Sequence, residues 1–110
     1  MAYYLIKFSQ TAETWQKMMA KPEDRRPAVR AAAKAAGGKL HGYWYAFGHC
    51  DGYALLEFPD NVSAAAEAVV ISASGALEQV ETTVLITVED MLKALSKAKK
   101  IKYRPPGGKQ

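Results

Sequence analysis

With 110 residues, nearly half of them apolar, the chain has material for one small domain with its own core and not for two. Its single cysteine, Cys50, excludes an internal disulfide and any multi-cysteine zinc site, and it fits a reducing compartment. The formal charge of +4 suggests nucleic acid only until its distribution is read, because the excess lies in the C-terminal tail.

The opening "MAYYLIKFSQ" has no basic segment followed by a long apolar run, so no signal peptide is expected. No apolar stretch approaches the roughly 20 residues of a membrane span. A cytoplasmic protein is expected. Tyr3 to Phe8 is aromatic and apolar enough for a strand. Thr11 then caps a helix with Glu13 in its first turn and Trp15, Met18 and Met19 on one face, and Pro22 stops it. "PEDRRPAVRAAAKAAGG" restarts a helix, since Pro27 is tolerated only near a beginning. Val29, Ala32, Ala33 and Ala36 form its buried stripe, and Gly37-Gly38 closes it. Arg26, Arg30 and Lys34 line the opposite side, a solvated face in preference to an anion-binding ridge.

"KLHGYWYAF" and "GYALLEF" are the second and third strands, joined by the "GHCD" loop. Pro59-Asp60 breaks the third. "NVSAAAEAVVISASG" is a helix whose alanines allow close approach to a sheet, and "LEQVETTVLIT" is a strand rich in β-branched residues. Thr87 and Asp90 approximate a capping box and open a last helix with Val88, Met91, Leu92 and Leu95 on one face. The tail after residue 96 holds Lys97, Lys99, Lys100, Lys102, Arg104 and Lys109 and no acid, which leaves nine basic residues against eleven acidic ones elsewhere. Residues 1–96 are thus read as the domain and 97–110 as a basic, flexible extension.

The order β-α-β-β-α-β plus a terminal helix predicts an α+β, ferredoxin-like fold with a four-stranded antiparallel sheet in the spatial order 4-1-3-2. Both crossover helices then cover one face. Strand parity places Tyr4, Ile6, Phe8, Ala54, Leu56, Phe58, Val84 and Ile86 under the helices. The other parity gives Tyr3, Leu5, Lys7, His41, Tyr43, Tyr45, Phe47, Tyr53, Leu55, Glu57, Glu81, Thr83, Leu85 and Thr87. That face is too aromatic to stay wet and too polar for an ordinary core. Lys7 and Glu57 are read as lying near the ends of neighbouring parallel strands, where they can pair.

"GGKLHGYWYAFGHCDGYALLEFPD" and "VETTVLITVEDML" resemble the GYD family of small proteins, over about residues 3 to 95. The resemblance implies a ferredoxin-like fold assembling as a dimeric α/β barrel, and it implies no particular reaction. It places the family signature on Gly48, Cys50 and Asp51, with His49 in the variable slot and Cys50 where a tyrosine is typical. Read from the residues alone, Gly48 and Gly52 supply backbone angles closed to other residues, and Asp51 accepts from nearby amides in an Asx-type turn. A reactive Cys50 would require a base within reach, and adjacency to His49 does not provide one. His41, His49, Cys50 and Asp51 show no metal-ligand spacing. No glycine-rich phosphate loop or haem attachment motif appears, so no cofactor is expected.

The expected function is small-molecule binding, with the site between sheet and helices, on the uncovered sheet face or inside a dimer barrel. His41, Tyr43, Tyr45, Tyr53, Lys7 and Glu57 are the predicted ligand-binding residues. His41 is the best candidate for proton transfer, since imidazole titrates near neutrality, although no reaction is assigned. The alternative is a non-catalytic homo-oligomeric module, its sheet face serving self-association. Nucleic-acid binding through the tail ranks last, because the third strand lacks the Lys/Arg-Gly-Phe/Tyr pattern and presents Glu57. The expected partners are a second copy and a small molecule, with no membrane.

Overall fold

Alternating burial along the first strand sets up the architecture. In β1 (Ala2–Gln10), Tyr4, Ile6, Phe8 and Gln10 are buried while Tyr3, Leu5, Lys7 and Ser9 are half-exposed, the period-two signature of a strand with one covered face. The computed structural model describes residues 1–108; Lys109 of the basic tail and Gln110 lie outside the described residues. β1 is followed by α1 (Ala12–Ala20), α2 (Arg26–Ala35), β2 (Lys39–Tyr45), β3 (Gly52–Phe58), α3 (Asn61–Ala73), β4 (Leu77–Leu85) and α4 (Val88–Ala98). The strands form one sheet in the order β2-β3-β1-β4, every neighbouring pair antiparallel. This is the ferredoxin-like α+β arrangement predicted from the element order.

Local chemistry starts each helix. Thr11 accepts from the Thr14 amide at 3.2 Å, Asp60 from the Ser63 amide at 2.8 Å and Thr87 from the Asp90 amide at 3.1 Å. Each contact satisfies an amide that the first helical turn leaves free. α2 has no side-chain cap and starts instead with Pro27 in its first turn, where the missing N–H costs nothing. In α1 the inward residue is Met18, whereas Met19 is 80% exposed.

The core lies between the sheet and α2 and α3. Tyr4, Ile6, Ala54, Leu56 and Phe58 meet Ala33 from α2 and Ala64 from α3, small residues that let helix backbones approach the sheet. Tyr4 packs edge-on against Phe58 and donates its hydroxyl hydrogen bond to Asn61 Oδ1 at 2.6 Å. α4 is different. Every one of its residues is exposed, including Val88, Met91, Leu92 and Leu95. The radius of gyration is accordingly 18.2 Å, against about 13 Å for a compact domain of this length. Among the described residues no helix is long and apolar enough to cross a membrane.

Candidate functional site

A bulge in β2 divides the predicted site between two faces. Leu40 lies opposite Leu56, but Gly42 lies opposite Leu55 and Tyr43 opposite Ala54. One extra residue on β2 reverses the parity from that point onward. His41 therefore stays on the uncovered face, while Tyr43 and Tyr45 turn to the helix side and Trp44 takes the uncovered side. The expectation of one shared face for His41, Tyr43 and Tyr45 is corrected by this shift.

On the uncovered face His41 Nε2 lies 2.8 Å from Glu57 Oε1, with the imidazole 5.4 Å from the Tyr3 ring. Lys7 does not pair with Glu57. β1 and β3 are antiparallel, with Lys7 opposite Tyr53 and Glu57 opposite Tyr3, which separates the two by about 13 Å along the strands. Lys7 instead reaches Glu81 on β4 at 3.4 Å. Both pairs are reachable by water, and such pairs contribute little stability. Tyr53 stands opposite Lys7, and its phenol is pushed up, first by the neighbouring Cys50 thiol and then by burial, with the Lys7 charge opposing.

The signature loop is a structural clamp. Gly48 has φ +145°, a conformation other residues rarely adopt. Gly52 is required for space and not for angle: a Cβ there would run into the Phe8 ring and lie 2.6 Å from the Trp44 carbonyl oxygen. Asp51 does not close an Asx turn on nearby amides. Its Oδ2 accepts from the Gln10 amide at 2.7 Å and from Trp15 Nε1 at 3.3 Å, joining the loop to the end of β1 and to α1. Cys50 is buried, with Sγ 3.7 Å from the Gly52 carbonyl oxygen, whereas His49 is exposed.

On the helix side, a cavity of about 520 Å³ lies between the sheet and the helices. Its floor includes Ile6, Phe8, Tyr43 and Val80, and α2 and α3 contribute Ala32, Ala68 and Ile71. Tyr43 stacks on Phe8 at 5.4 Å and meets Tyr45 edge-on at 5.5 Å, and Tyr45 lies 6.2 Å from Trp15. Burial, with the neighbouring Tyr45 hydroxyl, pushes the Tyr43 phenol well up. Gln10, 6% exposed, donates from Nε2 to Met18 Sδ at 3.4 Å.

Glu67 of α3 also belongs to this wall. It is 3% exposed, and among the described residues neither carboxylate oxygen has a hydrogen-bond partner. Desolvation pushes its carboxyl up from 4.5 to about 7. Sequence reasoning missed this residue, although a signal existed. Ala64, Glu67, Ala68 and Ile71 fall at i, i+3, i+4 and i+7, so the inward stripe of α3 carries one carboxylate among apolar side chains.

Comparison with known proteins places the chain among relatives. Three solved structures are similar in fold. One is an Agrobacterium tumefaciens protein, at 14% identity and a TM-score of 0.47, covering 80% of this chain and 94% of that one. Another from Agrobacterium tumefaciens is described as a nipsnap family protein with unknown function, at 14% identity and 0.43, covering 77% and 86%. The third is an uncharacterized NIPSNAP-like domain protein from Burkholderia xenovorans, at 13% identity and 0.46, covering 79% and 84%. No curated protein matches the chain. The GYD domain model matches residues 4–95, in agreement with the resemblance read from the strand and loop residues. The chain belongs to the GYD family.

Proposed function

We propose that the protein binds a small, largely apolar molecule in the cavity between its sheet and helices. The observation that carries this reading is the cavity itself: about 520 Å³, walled by aliphatic and aromatic side chains with a few polar groups among them. Small-molecule sites have this size and this composition. Of the six residues predicted from sequence, Tyr43 lines this cavity, with Tyr45 against it. Lys7, His41, Tyr53 and Glu57 belong to the opposite face. Substituting Ala32→Leu on α2 narrows the cavity while keeping a helix-favouring residue. Native mass spectrometry of the protein as purified should find a bound mass of a few hundred daltons that this variant lacks. Equal retention by both proteins would place the ligand elsewhere.

A second reading, compatible with the first, is that the protein works as a homodimer. Its support is α4, where Val88 and Leu92 are 72% and 60% exposed on a helix that buries nothing. Tyr3, Leu5 and Leu55 on the uncovered face are half-exposed apolar groups of the same kind. A second copy would cover both surfaces by two-fold symmetry. Sedimentation should give twice the 12.0 kDa chain mass for the wild type and a smaller species for Leu92→Asp. A wild-type monomer at micromolar concentration overturns this reading and leaves the cavity reading standing.

A further inference from the structure

The charges around the cavity do not balance at one point. Near the mouth, Lys17 pairs with Glu13 at 3.0 Å and Arg25 with Glu23 at 3.3 Å. Each of these acids already has its cation. Gln10 directs its amide hydrogen to Met18 Sδ, and the Tyr43 phenol is held neutral by burial and by Tyr45. Glu67 alone among these groups has no partner of either kind for its two oxygens. A carboxylate in that position leaves strong acceptors unmet, which is costly in an apolar wall.

We propose that the cavity selects an apolar molecule carrying an amine, toward which the Glu67 carboxyl, a lining group whose oxygens are sealed from solvent in this structure, turns to pair with the ammonium N–H groups. The inference rests on the cavity reading above and adds the chemical class of the ligand. An ammonium brings several donors and the opposite charge, so it satisfies both oxygens and neutralises the buried anion. An alcohol brings one donor and no charge. A carboxylate ligand meets Glu67 as a like charge and is excluded. The apolar floor of Ile6, Phe8 and Val80 takes the hydrocarbon part. Ammonium binding favours the ionised form of Glu67, which is otherwise half-populated near pH 7, so uptake is coupled to release of a proton.

Calorimetric titration of the full chain with hexylamine, hexanol and hexanoate tests the class. At about pH 8 hexylamine should bind about tenfold or more tighter than hexanol, with hexanoate weakest. Glu67→Gln should abolish the preference for the amine while still binding hexanol. If Glu67→Gln fails to fold, the wild type still decides: its preference for amine over alcohol should grow from about pH 5.5 to about pH 8. Equal binding of amine and alcohol in the wild type overturns the amine proposal and leaves the cavity reading intact. Binding of none of the three removes both.

Discussion

Replacing Glu67 with glutamine isolates what a buried, unpartnered carboxylate does to stability. The raised value means that between about 4.5 and about 7 the folded chain keeps a proton that the unfolded chain has released. Stability from this group therefore falls as pH rises through that window and levels off above it. A tenfold change in acidity corresponds to about 1.36 kcal/mol, so the full displacement amounts to about 3 kcal/mol. Relaxation of the side chain and its surroundings offsets part of this and brings the expected penalty to about 2 kcal/mol. Glutamine nearly preserves the shape and cannot ionise. Glu67→Gln should exceed the wild type by about 8 °C in Tm at about pH 8, and the two should converge near pH 4. Thermal denaturation followed by circular dichroism, repeated across pH, reads the difference directly. A difference that stays constant with pH, or a variant less stable than the wild type at pH 8, would refute the assignment of a desolvated carboxyl.

The loop and the uncovered face yield further expectations. Asp51→Ala leaves the buried end of β1 with an unmatched Gln10 amide, so it should cost about 1–3 kcal/mol in urea denaturation, with a change in Trp15 fluorescence. Asp51→Asn keeps an acceptor oxygen and should lose less. Gly52→Ala forces the new methyl against the Phe8 ring and the Trp44 carbonyl; a loss of about 3 kcal/mol is expected from overpacking against backbone. His41→Ala removes one member of a water-accessible pair and should change stability by less than about 1 kcal/mol. It should also leave hexylamine affinity unchanged in calorimetry, because His41 lies across the sheet from the cavity.

The fold was legible because each element carried its own period. Tyr4, Ile6 and Phe8 alternate with Tyr3, Leu5 and Lys7, and Val29, Ala32, Ala33 and Ala36 recur at helical spacing, so the element order and the sheet followed. The site was legible only in part. Parity counting assumes an unbroken strand, and the bulge at His41 and Gly42 breaks it, sending Tyr43 and Tyr45 to the other face. A hint was present: Gly42 interrupts a run of large residues, and glycine inside a strand often marks a bulge. The Trp44 ring folds over the space that a side chain at Gly42 would take. The Lys7–Glu57 pairing fails for a different reason: the antiparallel sheet that the element order predicts already runs β1 against β3, so a pair placed as if those strands were parallel conflicts with it. Asp51 was recognised as structural, but its partners Gln10 and Trp15 are distant in sequence and become neighbours only through the fold. Glu67 shares the stripe of Ala64 and Ala68 on α3, and alanines that signal close approach to a sheet do not signal a carboxylate sealed among them.

The most direct test of where a ligand sits is an amide chemical-shift titration of the wild type with hexylamine. The largest shifts should fall on Gln10, Tyr43, Glu67 and Val80, around the cavity, while Tyr3, Leu55 and Glu57 remain still. Shifts concentrated on Tyr3, His41, Leu55 and Glu57 would contradict it and move the site to the uncovered face of the sheet.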